Sequence, residues 1–212
     1  MAGKRIDMKI AVLFSGKGSN LGALISSPVR PNIELCLTDN PNALGIINAR
    51  SHNLPVFIAN YEEYVNKSEF EKTVLNELRR RAINYVVLAG FMRILSADFI
   101  SQYSNRIINI HPSLLPSYTG LNTHERVIKN GNRIHGVTIH FVTPQVDTGP
   151  IIAQGAIRVQ PNDTPESLQE RIHKLEHLMY PKVMSWIIKG QIYVNAQGKV
   201  VPPFCTGFIM ED

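Results

Sequence analysis

With 212 residues, 44% of them hydrophobic and 18% charged, the chain is long enough to bury one substantial core and has the makeup of an ordinary globular enzyme. No stretch approaches the roughly 18 consecutive apolar residues of a membrane span, which argues against a membrane role. The formal charge of +5 comes from scattered basic residues. The one tight run, Arg79-Arg80-Arg81, closes a helical pattern where cations complement a helix C-terminus, so small anionic substrates are expected and nucleic acid is not.

The segment from Met1 to Lys9 is charged and lacks the apolar core of a secretory signal, and a cytoplasmic location is expected. Strand-like runs then follow at 9–14, 33–37, 56–58, 85–89 and 106–110, with helical patterns at 20–26, 43–52, 68–81 and 96–103 between most of them. Asn42 and Ser96 are the expected caps of the second and fourth helices. Strands alternating with helices predict an α/β fold, an open and mostly parallel twisted sheet with helices on both faces. Two further runs, 135–143 and 150–159, are joined by a short loop and predict an antiparallel extension toward the C-terminus. Thr164 and Pro165 open a long helix with Leu168, Ile172, Leu175 and Met179 as its apolar stripe; Pro181 is expected to interrupt it and Gly190 to end it. A small hairpin is expected at 192–194 and 199–201. A single domain over residues 1–212 is the simplest organisation. Cys36 and Cys205 are far apart with no metal-ligand spacing and are expected to be inert thiols.

Three features carry chemistry. In Asn109-Ile-His111 the amide and the imidazole lie two residues apart, so a strand aims both the same way while Ile108 and Ile110 pack behind them. That pairing suits an oxygen that becomes negative. The second feature is the run from Gly136 to Gly149, a β-branched strand that breaks into a loop bearing Asp147, a carboxylate able to reach an imidazole on a neighbouring strand. The third is Ser15-Gly-Lys-Gly-Ser-Asn20, which joins an apolar strand to a helix start. It reads as a monophosphate cradle with Gly18, Ser19 and Asn20 as donors, or as a purely structural turn. A dinucleotide fingerprint fails at its third glycine, because position 21 is Leu and Gly22 falls one place late, and Asp39 serves a ribose or a turn equally well. Among the seven histidines, His135 and His140 are expected on strand faces and none forms a ligand cluster, so no metal is expected.

Through Ser15–Asn20, Leu88-Ala-Gly-Phe-Met-Arg-Ile-Leu95, Asn109-Ile-His-Pro-Ser-Leu-Leu-Pro116 and Gly136–Gly149, the chain resembles the folate-dependent glycinamide ribonucleotide formyltransferases over almost its whole length. The resemblance implies a Rossmann-like formyltransferase fold and transfer of a formyl group from 10-formyltetrahydrofolate, the co-substrate, to the amine of glycinamide ribonucleotide. It implies Asn109, His111 and Asp147 as the catalytic set, and Gly18, Ser19, Asn20 and Glu176 for the nucleotide. For the folate it implies Lys67, Met92, Arg93, Ile94, Leu95, Asn109, Thr143, Val146 and Asp147. Lys67 stands where an arginine is common, which keeps the charge and loses the planar fork, and Pro144 stands where an acid is more frequent. The expected partners are these small molecules, with no nucleic acid and no membrane, in a monomer or homodimer. The competing readings are a 10-formyltetrahydrofolate deformylase, or a non-catalytic or dinucleotide-binding Rossmann-like module.

Overall fold

The computed structural model describes residues 8–201 and the strand Gly207–Ile209; the segment before Met8 and Cys205 lie outside them. The chain falls into two compact units, Met1–Met92 and Arg93–Asp212.

The first unit runs β1 (Ile10–Phe14), α1 (Ser19–Ile25), β2 (Ile33–Thr38), α2 (Gly45–Ser51), β3 (Val56–Ile58), α3 (Lys67–Arg80) and β4 (Tyr85–Leu88). Its strands lie in the order β4-β1-β2-β3, and each neighbouring pair is parallel. All five residues of β1 are buried, which is why its sequence is a continuous apolar run without the alternation of a half-exposed strand. Helix α3 is capped by the Asn66 side chain, which accepts from the Glu69 N–H at 2.9 Å. At its other end Arg80 grips Glu77 through two bonds of 2.8 Å, and Arg81 adds one of 2.6 Å. The Arg80 hydrogen bond, followed by those of Arg81, holds the Glu77 carboxyl down at about 2 despite burial. The arginine run thus closes its own helix. Cys36 is fully buried in β2, and burial pushes its thiol up to about 12. The expected cap at Asn42 is not used: α2 begins after Leu44, which makes no side-chain cap bond, and the Asn40 side chain instead accepts from the Asn42 N–H in a local turn.

The second unit runs α4 (Ala97–Gln102), β5 (Ile107–His111), α5 (Thr123–Lys129), β6 (Ile134–Phe141), β7 (Ile151–Arg158), α6 (Pro165–Ile188), β8 (Tyr193–Val194), β9 (Val200–Val201) and β10 (Gly207–Ile209). Its sheet order is β10-β7-β6-β5, with β5–β6 and β6–β7 antiparallel and β7–β10 parallel; β8 and β9 form the small terminal hairpin. The α/β class, the parallel strands of the first half and the antiparallel strands that follow are as the sequence predicts. Ser96 caps α4 as expected, accepting from the Phe99 N–H.

A second departure, after the unused Asn42 cap of α2, lies in the long helix. Helix α6 continues through Pro181 to Ile188 instead of breaking there. Proline removes one intrahelical bond, at a cost of about 3 kcal/mol. Beyond it, however, Val183, Met184 and Ile187 are fully buried, and a fully buried side chain of that kind gains about 1.5–3 kcal/mol. The helix start was legible: Thr164 and Ser167 form a reciprocal capping box with Pro165 at the first position.

Candidate active site

In the second unit, β5 presents Asn109 and His111 on one face as their spacing requires, with Ile108 and Ile110 buried behind. The antiparallel register puts Asn109 directly opposite His140 and His111 opposite Thr138. Residues paired in that way share a face, and the Asn109 Nδ2 lies 3.2 Å from the His140 Nε2. Burial pushes the His140 ring below its ordinary value and His111 adds to that, while the Phe141 carbonyl and Asp147 pull the other way. The ring is therefore neutral near pH 7. Its Nδ1–H donates to the Phe141 carbonyl at 2.9 Å, which leaves Nε2 as the acceptor for the Asn109 amide. A neutral ring forms no ion pair, so the 3.9 Å approach of His140 Nε2 to Asp147 is proximity alone. Asn109 keeps its second N–H and its carbonyl oxygen for a ligand.

Asp147 arrives on the β6–β7 loop in the left-handed conformation, φ 55°, which Asp tolerates better than most residues. Gly149 lets that loop turn back tightly, since a Cβ there would collide with the Phe141 carbonyl oxygen. The loop brings the carboxylate Oδ2 to 3.5 Å from the His111 Nδ1, with both side chains 8% exposed. The Gly120 N–H donates to the same Oδ2 at 2.9 Å, and the other imidazole nitrogen, Nε2, faces the Tyr118 carbonyl at 2.9 Å. The Nδ1 edge of His111, shared with Asp147, is thus the edge not turned to a backbone carbonyl. Tyr118 and Gly120 leave no signal in the sequence, because both contacts are made by backbone groups.

Behind the site, Thr138 is a buried hub. Its hydroxyl donates to the Ser113 carbonyl at 2.7 Å and accepts from the Leu115 N–H at 3.0 Å and from Gln154 Nε2 at 3.0 Å. These bonds fix the chain just after His111. The Tyr180 hydroxyl, on α6, donates to the Ile108 carbonyl of β5 at 3.2 Å, and burial first, then Glu176, raises its pKa well above the ordinary value. Glu176 itself is 4% exposed. Among the other residues named for the folate, Ile94 is 64% exposed, Val146 47% exposed and Leu95 buried. The Thr143 hydroxyl donates to the Gln145 carbonyl at 3.2 Å and meets the Thr148 hydroxyl at 3.1 Å, so it closes its own loop. Pro144 and Arg93 are exposed.

In the first unit the glycine loop leaves the carboxyl end of β1, where open parallel sheets receive ligands. Gly18, at φ 71°, precedes α1, and the first helical bond runs from the Gly22 N–H to the Gly18 carbonyl at 2.9 Å. The N–H groups of Ser19 and Leu21 consequently have no intrahelical acceptor. Ser15 ties the loop down, its N–H donating to the Gly90 carbonyl at 3.0 Å and its hydroxyl accepting from the Met92 N–H at 2.9 Å. Asn20 is buried and Ser19 exposed. Met92 is 65% exposed. Lys67 stands at the start of α3 with its Nζ 3.8 Å from Glu71, a buried carboxylate one turn on. Among the described residues no group of three or more His, Cys, Asp or Glu side chains is placed to hold a metal ion, and no helix is long and apolar enough to cross a membrane.

A strand-borne amide and imidazole answered by a loop carboxylate bring hydrogen-bond donors and a proton acceptor together, a constellation suited to acyl transfer. The family model described as Formyl transferase matches residues 8–184. The phosphoribosylglycinamide formyltransferase of Escherichia coli (strain K12) is 36% identical over 205 residues, covering 92% of this chain and 97% of that protein. A solved structure of the phosphoribosylglycinamide formyltransferase of Coxiella burnetii is 40% identical, covers 95% of this chain and 99% of its own, and superposes with a TM-score of 0.87. The trifunctional purine biosynthetic protein adenosine-3 of Gallus gallus is 39% identical over 197 residues; that match takes in 91% of this chain but only 20% of the longer protein. The chain belongs to the formyl transferase family, within its phosphoribosylglycinamide formyltransferase branch.

Proposed function

We propose that the chain transfers the formyl group of 10-formyltetrahydrofolate to the amine of glycinamide ribonucleotide, yielding formylglycinamide ribonucleotide and tetrahydrofolate in de novo purine biosynthesis. Residues 1–212 act as one formyltransferase domain, in the cytoplasm, as a monomer or homodimer. The observation that carries the reading is the approach of the Asp147 carboxylate to 3.5 Å from the His111 Nδ1 on the strand that also presents Asn109.

The amine lone pair attacks the formyl carbon, giving a tetrahedral centre with a negative oxygen and a positive nitrogen. The free N–H of Asn109 and the Nδ1–H of a protonated His111, whose Nε2–H is held by the Tyr118 carbonyl, stabilise that oxygen. Asp147 takes the proton from the new ammonium, directly or through water, and delivers it to N10 of the folate as the C–N10 bond breaks. The protons and the electron pair are then accounted for without a metal. Gly18, Ser19 and Asn20 receive the nucleotide phosphate and Glu176 its ribose. The folate lies against Met92, Arg93, Ile94 and the 143–147 loop, including Thr143 and Val146, with Leu95 packing beneath. Lys67 answers the glutamate tail, although its charge is already shared with Glu71, so the tail is held loosely.

The deciding experiment follows formyl transfer from 10-formyltetrahydrofolate with glycinamide ribonucleotide present and absent. Formylated nucleotide in proportion to tetrahydrofolate, and no formate without the amine, is the expected result. Release of formate at the same rate without the amine would make the chain a deformylase and overturn the reading.

A further inference from the structure

His111 and Asp147 are both held by one short strap of backbone, Tyr118 to Leu121, in which Tyr118 and Gly120 have φ of 56° and 76°. The Tyr118 carbonyl accepts from His111, and the Gly120 N–H donates to Asp147. What fixes the strap is an exposed side chain on the following helix. Arg126 Nη1 donates to the Thr119 carbonyl at 2.6 Å and to the Leu121 carbonyl at 3.3 Å, and its guanidinium lies 5.2 Å above the Tyr118 ring.

The Thr119 carbonyl and the Gly120 N–H are the two ends of a single peptide unit. A trans peptide is planar, with its C=O and N–H pointing in opposite directions, so fixing the carbonyl fixes the aim of the N–H. A charged donor on that carbonyl also polarises the unit and makes its N–H a stronger donor toward the carboxylate beyond. Arg126 and Asp147 are thereby coupled through one rigid plane without touching. The Tyr118 ring, anchored separately by its hydroxyl to Asn132 Oδ1 at 2.7 Å and by Asn130 Nδ2 at 3.0 Å, keeps the guanidinium over the strap.

We propose that Arg126 is a positioning residue for the His111–Asp147 pair, acting through the Thr119–Gly120 peptide. The kinetic part of this proposal rests on the formyl-transfer reading, and the structural part does not. Arg126→Ala is expected to lower kcat about tenfold with KM values for both substrates near parental, because misplaced catalytic groups cost turnover more than ground-state binding. Gly120 amide hydrogen exchange should quicken in the same variant. Arg126→Lys, which keeps the charge but lacks the fork, should recover part of the loss. In an Asp147→Asn background Arg126→Ala should have little further effect on kcat, since both act on one element. Lys129→Ala, which removes a cation from the same helix, should behave as the parent. Parental kcat and parental Gly120 exchange in Arg126→Ala would overturn the proposal, as would full additivity with Asp147→Asn. A parental protein that transfers no formyl group would instead overturn the proposed function, and the Gly120 exchange comparison would still judge the tether.

Discussion

Asn109 and His140 stand directly opposite each other across the β5–β6 ladder, and the asparagine amide donates to the imidazole Nε2 at 3.2 Å. The donor that the proposed mechanism aims at the formyl oxygen is thus oriented by a neutral histidine, itself held in one tautomer by the Phe141 carbonyl.

Removing that amide should act on turnover and on stability together. Asn109→Ala is expected to lower kcat by about 10²–10³, the usual effect of deleting one oxyanion donor. It also strands the buried His140 Nε2 without a partner, at a cost of about 1–3 kcal/mol. Saturating kinetics and urea unfolding measure the two separately. Near-parental turnover would remove Asn109 from the catalytic set.

Asp147→Asn keeps an oxygen for the Gly120 N–H and loses the charge and the proton-accepting capacity. The urea midpoint should stay close to parental while kcat falls by about 10²–10⁴, the range of a positioned general acid–base group. A variant with ordinary turnover would show that the proton travels by another route.

A half-buried histidine, His124, paired with a buried one, His135, gives the fold a pH dependence of its own. Burial, followed by the charge of neighbouring rings, lowers both His124 and His135 from 6.5 to about 4, and the two rings share a 3.0 Å hydrogen bond that two charged rings could not make. Between those values the unfolded chain holds more protons at these sites than the folded one, so stability rises with pH across that window. The contribution is complete above 6.5 and is lost as the pH falls toward 4. The carboxylate Glu77, lowered from 4.5 to about 2, weakens the fold only at more acid pH. Urea midpoints should therefore drop between pH 7 and pH 5, and the slope should shrink in His135→Gln. A flat profile over that interval would contradict the assignment.

Gly18→Ala tests the loop that the proposed function gives to the phosphate. The added Cβ would lie 2.7 Å from the Gly45 Cα, at a residue with φ 71°. The left-handed conformation alone costs a non-glycine residue about 1–2 kcal/mol. Both the urea midpoint and the affinity for the nucleotide should fall, the second by calorimetric titration with glycinamide ribonucleotide. Unchanged nucleotide affinity in a folded variant would remove the phosphate from this loop.

Much of the architecture could be read directly. The strands, the Ser96 and Thr164 caps and the N-x-H placement follow from periods of two and 3.6 residues and from side chains that satisfy nearby backbone groups, all short-range effects. Two local readings failed where competition decided the outcome. At Asn42 the neighbouring Asn40 took the turn, and at Pro181 the buried face of α6 outweighed one missing hydrogen bond.

The sequence by itself determined which residues could perform acyl chemistry and that Asn109 and His111 would point the same way, because strand geometry is set by the steric limits of adjacent residues. Only the tertiary structure decided that Asp147 reaches His111, that His140 turns the Asn109 amide, and that the Tyr118–Leu121 strap holds the pair. Those relationships depend on the antiparallel register of β5 with β6 and on backbone groups common to every residue. Composition and spacing cannot encode a partner that is a carbonyl or an N–H delivered by the closure of a distant loop.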